Sequence, residues 1–395
     1  MAGHAQTDTA RRTVSHDSAW TDPDNTGQRD IIDVYHHIRN RHDHPHAAPL
    51  NNKTNRFLIS VVPAVGYTLQ TGFAGILSGN LGFYTSNDSD SKISSITTSF
   101  TYSEYNQVIV PLQTDIWTKG NKYNIITDWR YMAYPSETFG LGGHTDPTDG
   151  YTINFSYLKF HQSVLKKVTN NLYAGLGYYF DYFWNVREVD PPSGEVTSFQ
   201  RYGLTKTEKA SGIAFRTLYD SRTNQINPSG GMFINVAFRP NFTWMGSDNN
   251  WQSLLVDARK YIHLHSGNVL ALWSFNWVTT GGKPPYLLLP STGWDDSYNT
   301  GRGYIQGRYR GNNMFYLEAE YRFRITSNGL LGAVLFANAE SFSKEISAAY
   351  NTVAPGFGTG LRLKLNKHSG ANLCLDYGFG ADGSKGFFVN LGEVF

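Results

Sequence analysis

The chain has 395 residues, of which 40% are hydrophobic, 15% aromatic and only 17% charged, and its formal net charge is +2. A net charge so close to zero argues against a dedicated nucleic-acid-binding protein, while the single cysteine, Cys374, excludes an internal disulfide and argues against a thiolate metal site. No apolar run reaches the eighteen or so residues that a membrane helix requires, so this chain could cross a membrane only as a closed β-barrel.

The first 55 residues are polar and contain seven of the twelve histidines. A segment of this composition buries too little apolar surface to fold alone, so we expect residues 1–55 to form a flexible periplasmic segment. Within it, residues 28–42 predict a short amphipathic helix, either a frayed helix in a linker or a helix that plugs the barrel or lies on the membrane surface. Its apolar residues at helical spacing are Ile31, Val34, Tyr35 and Ile38.

Three histidines, His42, His44 and His46, occupy alternate positions after this stretch. Imidazoles at this spacing could chelate a metal, but a stable site needs a fold that fixes the ligand geometry. We therefore predict a solvated linker here and no metal or cofactor site in the chain.

From residue 56 onward, segments of about ten to fifteen residues alternate in polarity and are separated by clusters of turn residues, a pattern typical of antiparallel β-strands. We count sixteen such segments in the sequence. They lie near residues 56–68, 72–85, 93–104, 107–118, 123–136, 151–167, 172–188, 212–223, 231–246, 251–265, 269–282, 313–326, 330–343, 359–368, 371–381 and 385–395.

The connections between these segments differ by parity. Those after even-numbered segments are mostly tight, whereas four of those after odd-numbered segments are long: 137–150, 189–211, 283–312 and 344–358. Outer-membrane barrels of Gram-negative bacteria have short periplasmic turns and long extracellular loops. The sequence thus predicts an all-β fold, a transmembrane antiparallel β-barrel of about 16 strands over residues 56–395 in the cell outer membrane. An even strand number places both termini in the periplasm.

Residues 313–326 illustrate why we prefer a membrane barrel to a soluble sandwich or a lipocalin-like barrel, which also have alternating strands. One face is apolar and consists of Phe315, Leu317, Ala319, Tyr321, Phe323 and Ile325, while the other consists of Tyr316, Glu318, Glu320, Arg322 and Arg324. A chain that ends on an aromatic strand residue is unusual in soluble domains. Together with the asymmetry of the loops, these features favour lipid against the apolar face.

Residues 299–312, NTGRGYIQGRYRGN, look at first like a phosphate-binding loop. Such a loop needs a helix N-terminus after it, but an amphipathic strand follows here, so we reject nucleotide binding. Two interpretations stay open. The first, which we adopt for the fold, is a long loop that folds into the barrel lumen; the second is an exposed arginine-rich loop that contacts acidic surface sugars.

Several stretches resemble the BamA-like superfamily of outer-membrane assembly and translocation barrels, also called the bacterial surface antigen family. Residues Gly301, Arg302, Gly303 and Tyr304 look like its R-G-F/Y loop signature, and they fall between the eleventh and twelfth predicted strands, where the family carries it. Residues 219–231, YDSRTNQINPSGG, look like its D-T-R-x-N…P-x-x-G turn. Residues 361–380 and 389–395 are similar to its closing strands, including the terminal aromatic residue.

The resemblance implies a role in inserting or translocating outer-membrane protein or lipid. Its expected partners are outer-membrane lipids, nascent outer-membrane proteins, a periplasmic partner protein or a second copy of the chain in a homo-oligomer. Family members that insert proteins carry periplasmic POTRA domains before the barrel. The 55 residues that precede the first predicted strand are too few for one such domain and a linker.

The lumen of a sixteen-stranded barrel is wider than its own side chains can fill, so water or a loop must occupy it. The resemblance implies that the loop arginine pairs with an acidic residue of the lumen wall. The matching wall position in this sequence is Asn338, so we expect the Arg302 guanidinium to bind Glu318, Glu320 or Glu340 instead.

The junction of the first and last strands is the second candidate element. Pro63 removes a backbone donor from the first strand, and prolines are normally confined to sheet edges or bulges. The last segment contains Gly386, Gly392 and Phe395. These residues predict a weakly hydrogen-bonded seam that opens toward lipid, although Pro111 in the fourth strand shows that a proline alone does not identify a gate.

We find no nucleophile elbow and no metal-ligand spacing in the barrel segments, and we predict that the protein is not an enzyme and has no catalytic residues. The first hypothesis is a barrel that assists insertion or translocation of outer-membrane protein or lipid through its lateral seam. The alternative is a passive channel or structural barrel without insertase activity. A lipid hydrolase built into the barrel is a third and weaker interpretation.

Overall fold

The computed structural model of the protein describes residues 28–38, 57–88, 91–191, 194, 196–347, 350, 352–367 and 369–395. Helix α1 (Ile31–Ile38) precedes the strands, and helix α2 (Ser198–Tyr202) lies between the seventh and eighth of them. The strands are β1 (Phe57–Thr68), β2 (Gly72–Phe83), β3 (Ser94–Ser103), β4 (Val108–Trp117), β5 (Tyr123–Thr138), β6 (Tyr151–Lys167), β7 (Leu172–Val189), β8 (Thr207–Asp220), β9 (Gly231–Asn241), β10 (Trp251–His263), β11 (Val269–Gly282), β12 (Asn313–Arg324), β13 (Leu331–Ser343), β14 (Ala354–Lys364), β15 (Asn372–Gly380) and β16 (Lys385–Leu391).

Each strand pairs in antiparallel fashion with the next one along the chain, and the sheet runs from β1 to β16 without a crossover. This confirms the prediction of an antiparallel barrel of about sixteen strands. Strands β1 and β16 lie next to each other, yet they are the two ends of the hydrogen-bonded order in the described part of the chain. The cylinder is therefore closed by backbone pairing everywhere except at this seam.

The two faces of the sheet differ as the alternation of the sequence predicts. In β12, the Leu317 side chain is 56% exposed on the outer face, whereas Tyr316 and Glu320 on the inner face are fully buried. Successive side chains point to opposite faces of a strand, so one strand supplies lipid contacts and lumen contacts together. Neither α1, nor α2, nor any other described helix has the length and apolar character to cross a membrane.

The two ends of the barrel have different connections. We call the end with turns 118–122, 168–171 and 264–268 the short-turn rim, and the end with connections 139–150, 190–206 and 283–312 the long-loop rim. Strands β5 to β8 have 14 to 18 residues each, more than the nine to eleven or so that cross a membrane. These four strands consequently extend beyond their neighbours at the long-loop rim.

The long connection 283–312 folds into the lumen, as the sequence predicts. Its residues Tyr286–Leu289 are buried against the inner wall of β5 to β8. The Tyr286 ring stacks on Phe199 of helix α2, with ring centroids 4.6 Å apart. Burial of these apolar side chains stabilises a loop conformation that fills the half of the lumen nearer the long-loop rim.

The turn between β8 and β9 reaches across the short-turn rim to the turn between β14 and β15. The side-chain amide of Asn224 donates to the carbonyl oxygen of Ser369 (3.0 Å), and that of Asn227 donates to the carbonyl oxygen of Gly370 (3.2 Å). Asn224 and Asn227 belong to the turn that resembles the family signature. That turn therefore connects two distant parts of the barrel wall.

Helix α1 docks on the same β14–β15 turn. Asp30 and Asp33 cap the helix reciprocally, because each backbone N–H donates to the carboxylate of the other (3.0 Å). Asp30 also accepts a hydrogen bond from the backbone N–H of Lys367 (3.0 Å), and the Lys367 ammonium pairs with Asp33 (2.7 Å). The predicted helix over 28–42 is described to Ile38; residues 39–42, the three histidines and residues 1–27 lie outside the described residues, so the predictions for them stay predictions.

This docking generates a pH prediction. Burial raises the pKa of Asp33, but the hydrogen bonds from Lys367 and from the Asp30 backbone, together with the charges of Lys367 and Arg29, lower it by more, so the net pKa lies below its ordinary value of 3.8. A carboxyl group whose pKa is lowered by docking stabilises the docked state above its ordinary pKa, and that stabilisation is lost as the pH falls through the lowered value. We expect hydrogen exchange of the α1 amides to be slow at neutral pH and to accelerate relative to the barrel amides under acidic conditions.

Lys367→Ala should accelerate exchange in α1 at neutral pH without affecting the strands. Lys122→Ala, at an exposed lysine of the same rim, is the matched control. If α1 exchanged at the same rate in wild type and Lys367→Ala, the ion pair would not hold the helix on the barrel.

Candidate functional site

The Arg302 side chain lies at the centre of a buried ionic cluster on the lumen wall, and it is 1% exposed. Its guanidinium donates to Asp376 of β15 (2.6 Å) and to Glu320 of β12 (2.6 Å), and it also pairs with Glu318 of β12. It lies over the ring of Phe336 in β13, 3.8 Å from the ring centroid. The planar fork of arginine is suited to this arrangement because it offers several donors in fixed directions.

The local backbone explains how the loop approaches the wall so closely. Gly301 and Gly303 have positive φ angles of 76° and 115°, which other residues adopt only with strain. A Cβ atom on Gly303 would lie 2.7 Å from the carbonyl oxygen of Phe379 in β15. The glycines of the motif thus allow the backbone to turn and to lie flat against the wall, where Arg302 reaches its carboxylates.

Two further arginines extend the cluster toward the chain end. Arg322 pairs with Glu320 (2.7 Å), and Arg362 pairs with both Asp376 (2.5 Å) and Glu393 (2.8 Å). The cluster therefore contains three guanidinium groups, those of Arg302, Arg322 and Arg362, and four carboxylates, those of Glu318, Glu320, Asp376 and Glu393. The Tyr316 hydroxyl donates to the second carboxylate oxygen of Glu318, the one that does not face Arg302. Charges removed from water in this way have to be paired and hydrogen-bonded.

The other predicted wall residues hold the loop by different atoms. The Asn338 amide donates to the backbone carbonyl oxygen of Arg302 (2.9 Å). Glu340 does not contact the Arg302 side chain; its carboxylate accepts a hydrogen bond from the Thr292 hydroxyl of the same loop (2.9 Å). Asp376, a direct partner of Arg302, was not among the predicted partners, although its inward position on β15 follows from the alternation of that strand.

Tyr304 and Arg308 attach the loop at further points. The Tyr304 hydroxyl donates to the carbonyl oxygen of Pro355 (2.6 Å) and accepts from the N–H of Ala381 (2.7 Å), so it connects β14 with the end of β15. Arg308 donates to the hydroxyl and the carbonyl oxygen of Thr145 in connection 139–150 (2.7 Å each). These side chains are buried, and the interpretation of an exposed arginine-rich loop is wrong for this segment.

At the seam, the structure places the four predicted residues in different environments. Pro63 lies on the outer face of β1, opposite Leu77 of β2. Gly386 lies at the long-loop end of β16, where Leu69 of the β1–β2 connection packs directly over it. This contact joins the two edges of the seam at one rim, and a side chain on Gly386 would displace it.

Gly392 and Phe395 do not continue the seam, and the predicted strand over 385–395 is too long. Gly392 has a φ angle of 88°, which ends β16 at Leu391 and turns the chain into the lumen. Phe395 stacks on Trp273 of β11, with ring centroids 5.0 Å apart, and its carbonyl oxygen accepts from Arg322 (2.9 Å). Burial on an aromatic surface and a charge-assisted hydrogen bond favour this position over a lipid-facing one.

We call residues 392–395 the tail. Besides Phe395, its Glu393 pairs with Arg362, and the carbonyl oxygen of Val394 accepts from the Asn299 amide of the lumen loop (2.9 Å). The tail therefore connects β16 to the loop and to the Arg302 cluster. No pattern in the sequence indicated this path, apart from the glycine at position 392.

The described residues contain no group of three or more His, Cys, Asp or Glu side chains that could hold a metal ion. Cys374 is buried, and its thiol donates to the carbonyl oxygen of Gly392 (3.0 Å). A histidine of the lumen, His161, contacts Asp181 (3.0 Å), but in the described part of the chain no hydroxyl or thiol group is hydrogen-bonded to its ring.

The cluster predicts a large effect of Arg302→Ala on stability. Removal of the guanidinium leaves three carboxylates without their shared cation, and loss of one partner of a buried ionic group costs about 3–5 kcal/mol. Arg201→Ala, at an exposed arginine of helix α2, is the control and should change stability by less than about 0.5 kcal/mol. The measurement is the unfolding midpoint in detergent, followed by heat-modifiable gel mobility; equal midpoints for the two variants would contradict the stabilising role.

A family model described as the Omp85 superfamily domain matches residues 94–395. Among solved structures, BamA from Haemophilus ducreyi lacking POTRA domains 1–3 is similar, with a TM-score of 0.56 and 14% identity over 87% of this chain and 76% of that chain. CdiB from Escherichia coli has a TM-score of 0.55 and 12% identity, with 85% and 67% covered. CdiB from Acinetobacter baumannii has a TM-score of 0.53 and 12% identity, with 85% and 60% covered.

This chain thus spans less than two thirds of the Acinetobacter CdiB chain. Likeness at these identities shows the fold, and the family match confirms the resemblance carried by residues 301–304. No protein with a curated function matches the sequence significantly.

Proposed function

The chain belongs to the Omp85 superfamily of outer-membrane β-barrels, and we propose that it assists the insertion or translocation of outer-membrane protein or lipid through the seam between β1 and β16. The observation that carries this proposal is the pair of strand edges at the seam, which have no backbone ladder between them in the described residues. Unpaired strand edges are templates for pairing with another strand. In lipid they also carry a high cost, because no water satisfies their polar groups.

The filled lumen supports this proposal over a passive channel. The loop 283–312 and helix α2 occupy the half of the lumen near the long-loop rim, while the tail and the β8–β9 turn lie across the other half. The cavities between them include one of about 330 Å³ beside Asp181 and one of about 420 Å³ beside Phe395. A steady aqueous pore would require the loop or the tail to move.

The proposal assigns coupled roles to the predicted residues. Leu69 and Gly386 close the seam at the long-loop rim, and the tail ties the other end of β16 to the loop and the Arg302 cluster. Because the tail holds Asn299 and Arg322 together, movement of β16 away from β1 and movement of the loop are linked. The substrates and partners we propose are a nascent outer-membrane protein or lipid and a periplasmic partner or a second copy of the chain.

In this proposal the short-turn rim faces the periplasm and the long-loop rim faces the exterior. The long connections at one rim and the even number of strands support this orientation. No catalytic step is part of the proposal, and hydrolysis of lipid has no supporting arrangement of side chains in the described residues.

A disulfide across the seam tests the function. The double variant Leu69→Cys, Gly386→Cys is made in a Cys374→Ala background. It brings two thiols together, because the Leu69 side chain lies against the backbone of Gly386. Oxidation should abolish most of the acceleration of client-barrel folding in proteoliposomes, and reduction should restore it, because the strand edges can no longer separate.

The matched control pairs Ala258→Cys with Ser274→Cys, which face each other on the hydrogen-bonded strands β10 and β11. Oxidation of this pair should leave client folding unchanged. Full activity of the oxidised seam variant, with the disulfide verified by mass spectrometry, would refute a route through this seam.

Planar-bilayer conductance separates the proposal from the passive channel. The wild-type protein should show no large steady conductance, and Arg308→Ala should add open events because the loop loses its contacts to Thr145. Lys283→Ala, an exposed position in the same connection, should behave like wild type. A large steady conductance in the wild type would favour the channel.

A further inference from the structure

A groove on the outer surface of the barrel lies at the point where long and short strands meet. It is lined by β5, β6 and β7 and by the β3–β4 turn, and its volume is about 950 Å³. The β3–β4 hairpin pairs with β5 only as far as Ala133, while β5 continues to Thr138. The groove therefore lies where β5 extends past the end of β4 at the long-loop rim.

A β-bulge shapes this groove. In the pairing of β6 with β7, Asn154 faces Arg187 but Ser156 faces Trp184, so Asn185 and Val186 together oppose Phe155. Asn185 has a positive φ angle of 56°. A bulge of this kind re-aims the side chains on either side of it, and here it places Trp184 and Arg187 both on the outer face.

The groove carries positive charge without an acidic counterpart. Arg187 and Lys206 line it, and no aspartate or glutamate does so in the described part of the chain. Neither cation forms an ion pair with a described carboxylate, and both are exposed. A third cation, Lys209, lies next to the groove with its ammonium 5.4 Å from the centre of the Tyr182 ring.

Aromatic side chains lie directly below these cations. Tyr182 stacks on Trp184, with centroids 5.1 Å apart, and Tyr131 packs against Trp184 at 6.1 Å. Tyrosine and tryptophan rings mark the level of the lipid headgroups on outer-membrane barrels. Further along the same strands the outer face is apolar, with Leu158 39% exposed. The cations therefore stand at the height of the headgroups, above the hydrocarbon.

We propose that this groove binds the phosphorylated sugar headgroup of a lipid in the leaflet at the long-loop rim. Arg187 and Lys206 bind its phosphate groups, as guanidinium and ammonium groups do in charge-assisted pairs. The side-chain amide nitrogens of Asn106 and Asn154 can donate to the sugar hydroxyls, while the Asn106 oxygen already accepts from the Tyr102 hydroxyl (2.8 Å). The acyl chains continue over the apolar face of β6 and β7, which distinguishes a lipid from a free phosphate.

Native mass spectrometry of the intact protein with purified diphosphoryl lipid A tests this site. The double variant Arg187→Gln, Lys206→Gln should bind the lipid roughly tenfold or more weakly, since two cations are lost from the headgroup level. Arg187→Lys in an otherwise wild-type chain should retain most of the binding. Heat-modifiable gel mobility verifies that each variant is folded.

The matched control is Lys119→Gln with Lys122→Gln at the opposite rim, where the Lys122 ammonium also lies over a tyrosine ring, that of Tyr123 (5.7 Å). This variant should bind lipid A like wild type. An equal loss in both double variants would reduce the effect to general charge attraction and overturn the site. Undiminished binding in Arg187→Gln, Lys206→Gln would also overturn it.

Two competition arms identify the occupant. Inorganic phosphate at millimolar concentration should not displace the lipid. Dephosphorylated lipid A should bind weakly, and equally so, to the wild type and to the double variant. Displacement by inorganic phosphate alone would point to a free-anion site, and displacement by an acidic peptide would point to a protein partner; either result would overturn the proposal. Folding of a client barrel should be unchanged in the double variant, so failure of the lipid site and failure of the seam are distinguishable.

Discussion

The buried cluster of three arginines and four carboxylates holds the parts of this barrel in one arrangement. Arg302 comes from the lumen loop, Arg322, Glu318 and Glu320 from β12, Arg362 from β14, Asp376 from β15 and Glu393 from the tail. Each of the four carboxylates is paired with at least one of the three guanidinium groups. Because an unpaired charge in this interior costs several kcal/mol, no one segment can leave the cluster without destabilising the others.

The ionic cluster is connected to the seam because its Glu393 belongs to the tail that follows β16. All other strand edges of the sheet are satisfied by a neighbouring strand, as lipid requires. At the seam, Leu69 of the β1–β2 connection packs over Gly386 at the long-loop rim, while the tail connects the other end of β16 to the lumen loop. Such contacts can be broken and remade without unfolding the wall, whereas a backbone ladder of ten or so residues cannot. In the proposed function, the ionic cluster links the position of β16 to that of the loop in the lumen.

The outer surface has an asymmetry of its own. Strands β5 to β8 rise above β1 to β4 at the long-loop rim, and the step between them carries cations above an aromatic belt. The site proposed there is separate from the seam in space and in chemistry, since it depends on exposed charge rather than on strand edges. The short-turn rim differs again, because the β8–β9 turn, the β14–β15 turn and helix α1 are joined to each other by amide and carboxylate hydrogen bonds.

The sequence by itself determined the number of strands and their two faces, and it favoured the lumen for the long loop without excluding an exposed position. Alternation with a period of two is a local property of each strand, so Glu318 and Glu320 could be assigned to the lumen from β12 alone. The glycines at 301 and 303 likewise indicated a tight approach of the loop to the wall. The family resemblance then identified Arg302 as the loop side chain that pairs with a carboxylate of the wall.

Only the tertiary structure decided which side chains meet. Asp376 is separated from Arg302 by 74 positions, and its role depends on how β15 is registered against β14 and curved around the lumen. Asn338 and Glu340 face inward as the alternation requires, but the depth of the loop selects a backbone carbonyl and a threonine hydroxyl as their partners. The inward path of the tail is another such result, because Phe395 stacks on Trp273 of β11 and binds the guanidinium of Arg322 in β12. A pattern along one strand contains no information on the distance across a barrel, and that distance is set by the closure of all sixteen strands together.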